Sequence, residues 1–181
     1  MKLPVGKARY GLMLREDGIV MDDGTTTRIS ENHYHMTTTT AQAANVLSHL
    51  EYYLQIVWPD LNVNVVSTTE QWAGAAIAGP KSRDMLSKLY PDLDVSNDAL
   101  PFMGYKEADF FGVPSRIFRI SFSGELAYEI NVKSDHGMFM WEKMMEVGKE
   151  FGNQPYGTEA LSTLRIEMGP VSYTHLRAHE T

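Results

Sequence analysis

Apolar and polar positions alternate along much of this chain in the two-residue rhythm of strands whose successive side chains face opposite ways. Residues 10–14 predict a first strand, Glu16-Asp17-Gly18 a turn, and residues 19–21 a second stretch of extended chain. Asp22-Asp23-Gly24 reads as another turn before the β-branched run 25–29, and residues 33–37 predict one more short strand. The rhythm then changes. Thr40 is placed to cap a helix over 41–57, with Leu47, Leu50, Leu54 and Val57 on one face and Trp58-Pro59 ending it. Strands follow at 63–67 and 70–78, and Gly79-Pro80 opens a helix with Met85, Leu86 and Leu89 as its apolar stripe. Residues 105–111 and 116–122 predict a hairpin around Gly112-Val113-Pro114. After a Ser-Gly corner the strand ending at Val132 sets Tyr128, Ile130 and Val132 against Glu129 and Asn131. Ser134 is placed to cap a helix to about Phe151, with Trp141, Met144, Met145 and Gly148 inward, and Thr158 a last helix carrying Leu161 and Leu164. Alternating strands and helices with hairpins between them predict an α+β fold, a mainly antiparallel sheet with helices packed on one face.

Composition narrows the chemistry. The 181 residues are 43% hydrophobic, enough for a real core, and contain no run long enough to cross a bilayer. With no cysteine, disulfides and thiolate metal sites are excluded, which fits a cytoplasmic protein. The net charge of −7, without a basic stripe, argues against nucleic acid as a partner. No Gly-x-Gly-x-x-Gly run supports a dinucleotide fold in this chain. His33 and His35 share a strand face, but no third ligand is placed beside them, and edge-strand histidines are the simpler reading.

Glu129 is the most informative position. A carboxylate on a strand between apolar neighbours is costly unless it meets a partner. On chemistry alone, water or a lysine or arginine would serve. The functional alternative is a ligand that offers two parallel N–H donors, as the aminopyrimidinone edge of a pterin does. Asp22 and Asp23 also leave two readings open: turn residues, or one carboxylate that positions an amine. Neighbours in a strand point to opposite faces, so at most one of the pair lines a given cleft.

Four separated segments, 6–23, 70–80, 121–132 and 155–167, resemble in order the C-terminal folate-binding, aminomethyltransferase-like domain of heterotetrameric sarcosine oxidase alpha subunits. The resemblance spans roughly residues 2–169. It implies that the domain binds tetrahydrofolate and captures, as 5,10-methylenetetrahydrofolate, the one-carbon unit released when sarcosine is oxidatively demethylated. Flavin and NAD are then expected only in other domains or subunits, and the other sarcosine oxidase subunits are the expected partners in a hetero-oligomer. Carried onto this sequence, the resemblance implies Asp23 as the catalytic carboxylate and Glu129 as the pterin ligand. Glu125, Tyr10 and Phe122 would add to the folate site. Phe122 stands where the family often has tyrosine, and Leu161 where aminomethyltransferases carry an arginine, which favours the oxidase-like branch and leaves the partner of the folate tail open. The alternatives are an aminomethyltransferase of the glycine cleavage system, a dimethylglycine-oxidase-like enzyme, or a folate-family binding module without catalysis.

The resemblance also implies a partial domain over 1–169, an internal piece of something longer. Residues 170–181 resemble a translated sequencing adapter, so the i, i+4 pair His175 and His179 is not read as a metal site.

Overall fold

The computed structural model describes residues 2–168. The tail from 170 to 181, with His175 and His179, lies outside the described residues. The chain divides into two compact units, one within Met1–Thr69 and the other within Glu70–Thr181.

The first unit holds a three-stranded antiparallel sheet in the order β1-β2-β3, with β1 Lys7–Leu14, β2 Val20–Arg28 and β3 Tyr34–Met36. The turn expected at Asp22-Asp23-Gly24 is instead the middle of β2, because β1 supplies ladder partners for it, Leu12 opposite Asp23 and Gly11 opposite Gly24. Gly24 is needed for proximity and not for a turn: a Cβ there would lie 2.0 Å from the carbonyl oxygen of Thr37. Helix α1 is shorter than expected, Ala43–Tyr52, preceded by a 3-10 turn and followed by a wider π turn over Tyr53–Val57. Thr40 does not cap it, and the hydroxyl of Thr39 is engaged elsewhere, by Asp22. Of the helix, Val46 alone is fully buried, while Val57 is exposed, so the stripe drawn from Leu47 to Val57 does not seal a core within this unit. Residues 63–67 form no strand in the described structure and leave Val63, Val65 and Val66 exposed.

The second unit carries the packed core. Its four-stranded antiparallel sheet has the order β4-β7-β6-β5, with β4 Trp72–Ala78, β5 Tyr105–Phe110, β6 Val113–Phe118 and β7 Ala127–Lys133. Among the described residues two antiparallel sheets therefore stand where the pattern predicts one. The β5–β6 turn is Phe111-Gly112, both at positive φ, which matches the right-handed twist of the flanking strands. Pro114 can sit inside β6 because β6 pairs with β7 only from Ser115 onward.

Helices α2 Ser82–Leu89 and α3 Gly137–Gly148 cover one face of this sheet. Leu86, Leu89, Met140 and Met144 meet Ile117, Tyr128, Ile130 and Val132 there, all at most 4% exposed. Fully burying side chains of this size contributes about 1.5–3 kcal/mol each. The inward face of α3 is set by Met140, Met144 and Gly148; Trp141, expected inside, is 45% exposed. A last helix, α4, spans Thr158–Met168. Among the described residues no helix is long and apolar enough to cross a membrane.

Candidate functional site

In the second unit the alternation of β7 divides its side chains cleanly. Tyr128, Ile130 and Val132 are fully buried under the helices, and Glu129 and Asn131 point to the opposite face. Glu129 stands across from Ala76 on β4 and Phe118 on β6. Its carboxylate is half-buried and has no hydrogen-bonding or ion-pair partner among the described residues. Desolvation alone pushes its pKa above the ordinary carboxylate value.

Glu129 forms part of the wall of a cavity of about 880 Å³ that wraps the edge of β4. Small residues of β4, Gly74, Ala76 and Ala78, give the cavity its depth, and Phe122, Trp141 and Leu161 line it as well. Phe122 is 51% exposed, and the guanidinium of Arg165 lies 4.9 Å from its ring centroid. The Nε of that arginine is buried without a hydrogen-bond partner among the described residues. Gly79, with φ +116, turns the chain out of β4, and its N–H donates to the carbonyl of Leu126 at 2.9 Å, tying the end of β4 to the start of β7. Glu125 sits in the corner between β6 and β7, half-exposed, and is not among the residues that line the cavity.

In the first unit β2 sends the two aspartates apart. Asp22 is fully buried and accepts hydrogen bonds from the Thr39 N–H at 2.9 Å and the Thr39 hydroxyl at 2.8 Å. Its work is structural: it ties the segment after β3 back to β2. Asp23 lies on the other face, half-exposed, and accepts a 2.7 Å hydrogen bond from the hydroxyl of Tyr10. The structure thus joins Tyr10 to Asp23 within one unit and places Glu129 with Phe122 around the cavity of the other.

Sequence reasoning missed Arg165 as a neighbour of Phe122, Trp141 as a cavity residue, and Thr39 as the partner of Asp22. The run of small residues in β4 was the one signal in the sequence that something packs close by. Among the described residues no three His, Asp or Glu side chains come together as a metal site.

The chain matches the family described as the GCVT N-terminal domain over residues 1–180. It is 54% identical over 178 residues to the sarcosine oxidase subunit alpha of Rhizobium meliloti (strain 1021), covering 97% of this chain and 18% of that protein. It is 52% identical over 169 residues to the corresponding subunit of Corynebacterium sp. (strain P-1), covering 93% and 18%. Identity to the aminomethyltransferase of Chloroherpeton thalassium is 34% over 176 residues, 97% of this chain and 47% of that one. The crystal structure of glycine cleavage system aminomethyltransferase T from Bartonella henselae shares the fold, with a TM-score of 0.75 at 22% identity over 94% of this chain and 43% of that chain. The chain therefore spans under a fifth of the sarcosine oxidase subunits and under half of the aminomethyltransferases it resembles.

Proposed function

Because the chain belongs to the family of the GCVT N-terminal domain, we propose that it binds tetrahydrofolate and serves to capture a one-carbon unit released from sarcosine, as part of a sarcosine oxidase alpha subunit. The observation that carries this reading is Glu129, a desolvated carboxylate with no protein partner among the described residues, on the wall of a cavity that also presents an exposed aromatic ring. A half-buried, desolvated carboxylate without a partner is costly, so its presence on this wall fits a ligand that brings the donors. A pterin edge does so with two N–H groups, each charge-assisted bond contributing about 1.5–3 kcal/mol. The ring of Phe122, with Arg165 against it, offers a stacking surface, though without the phenolic hydrogen bond a tyrosine would add.

Tetrahydrofolate, when bound, supplies the amines that hold the carbon as 5,10-methylenetetrahydrofolate. The part left to this chain is binding, orientation and proton control. Asp23, steadied by the hydroxyl of Tyr10, has the exposure and the fixed geometry to orient an amine and accept a proton from it. Asp22 has neither, being fully buried with its carboxylate oxygens engaged by Thr39.

Higher identity to the oxidase subunits than to the aminomethyltransferases, and Leu161 on the cavity wall, favour the oxidase branch over a glycine-cleavage aminomethyltransferase. Oxidation of sarcosine, the flavin and NAD it would use, and the subunits that bind them are assigned to regions outside this chain. In the full-length polypeptide carrying this sequence, Glu129→Ala is expected to weaken tetrahydrofolate binding about 30-fold or more by calorimetry, while sarcosine oxidation persists. Unchanged folate affinity would remove Glu129 from the site. Asp23→Ala in the same protein is expected to keep folate binding and to divert the product from methylenetetrahydrofolate to formaldehyde.

A further inference from the structure

The face of the second sheet that carries Glu129 continues along β7 to Asn131 and then Lys133, each two residues on and on the same side. Strand rise puts Lys133 about 13 Å from Glu129 along the strand. Across from Lys133 stands Trp72 of β4, and across from Asn131 stand Gly74 on β4 and Arg116 on β6. The indole of Trp72 holds two cations, the guanidinium of Arg116 at 4.0 Å and the ammonium of Lys133 at 4.4 Å from the ring centroid. A second cavity of about 420 Å³ is lined by Trp72 and Arg116 together with Glu107, Asp109 and Pro114.

The two ends of this lane have opposite character. At one end is a carboxylate without a partner among the described residues; at the other are two cations set against one aromatic ring. Arg116 has an acid nearby, Glu107, but at 3.9 Å, and the carboxylate of Glu107 also accepts a hydrogen bond from Tyr105. Lys133 has no carboxylate partner among the described residues and is exposed. Between the ends the lane is kept low. Gly74 has no side chain, and a Cβ there would come within 2.9 Å of Asn131 Oδ1. Asn131 offers an amide donor and acceptor in the middle.

Resting on the folate reading above, we infer that this lane is the path of the folate tail. The pterin edge meets Glu129, the p-aminobenzoyl spacer crosses Gly74 and Asn131, and the glutamate carboxylates reach Lys133 and Arg116 over Trp72. A folate has this polarity: donors at the pterin end, a flat spacer, and anionic glutamate at the far end. The cations serve the anionic end only, so the lane selects for folates over free pterins. Because Lys133 is exposed, its effect is screened and salt-sensitive.

The test is calorimetry on the full-length polypeptide carrying this sequence, with three ligands: 6-methyltetrahydropterin, which has no tail, tetrahydrofolate, and tetrahydrofolate triglutamate. Lys133→Ala is expected to weaken tetrahydrofolate about fivefold and the triglutamate more, with the loss shrinking at high salt, and to leave the tail-less pterin unchanged. Lys133→Arg is expected to restore binding. Equal affinity of Lys133→Ala and parent for all three ligands, with Glu129→Gln still losing all three, would overturn the tail path and leave the pterin site standing. Retention of all three ligands by Glu129→Gln would overturn the pterin site and the tail path with it.

Discussion

The two units of this chain are stabilised in different ways. The second closes a core on itself: Leu86, Ile117, Tyr128, Ile130 and Val132 are all wholly buried between sheet and helices. In the first, Ala8 and Val46 are the buried hydrophobic residues among those described, while Asp22, Thr27 and Arg28 are buried polar ones. Arg28 donates to the carbonyls of Leu3 and Glu31, and Asp22 accepts from Thr39, so polar ties do there what apolar packing does in the second unit. The first unit also displays Tyr10, Leu12, Leu14, Ile19, Tyr34 and Met36. The same split runs through the proposed chemistry. The unit with the dry core carries Glu129, proposed to anchor the ligand, and the unit held by hydrogen bonds carries Asp23, proposed to act on an amine.

The sharpest way to break the comparison is paired truncation. Ile130→Ala is expected to cost about 2–5 kcal/mol in denaturant unfolding, and Leu12→Ala, 39% exposed, less than about 0.5 kcal/mol. Equal costs would mean that both units rely on apolar packing. A smaller effect is expected from Asp22→Ala, which strands the Thr39 N–H and hydroxyl and should cost about 1.5–3 kcal/mol. Hydrogen exchange should show it as faster exchange in β2 and β3, with protection in the second unit unchanged.

The smallest effect concerns pH. Burial raises the Glu129 pKa, so the native state holds the proton more tightly than the unfolded chain does, and ionisation costs stability as pH rises through the folded-state value. Glu129→Gln should therefore raise Tm at neutral pH, and its advantage should fade as pH drops toward the ordinary carboxylate value of about 4.3. A Tm advantage independent of pH would mean that the gain comes from something other than the charge.

Much of the second unit was legible along the chain. The stripe Met85, Leu86, Leu89 and the alternation from Tyr128 to Val132 place the core and Glu129's face by local periodicity, which α2 and β7 keep. The first unit was harder to read because its order comes from long-range pairing. Asp22-Asp23-Gly24 has turn composition, yet β1 on one side and Thr37 on the other hold it extended. Residues 63–67 have strand composition, yet no described strand pairs with them, and a strand exists only through its partner. The site shows the same division. Glu129, Asp23 and Tyr10 were candidates that the family resemblance could nominate, whereas the Arg165–Phe122 contact brings together residues 43 positions apart in number and had no such signal.

What this sequence determined by itself was the face each residue of β7 would take, the helix stripe of α2, and the exclusion of cysteine chemistry, because these depend on periodicity and composition alone. Tertiary structure decided that the described strands form two sheets and not one. It decided that Asp22 is spent on Thr39 while Asp23 is left for Tyr10, and that two cations share the ring of Trp72 on the face of Glu129. The reason is physical: a side chain's direction follows from its own strand, but its partners come from strands distant in the chain, and only folding brings those alongside.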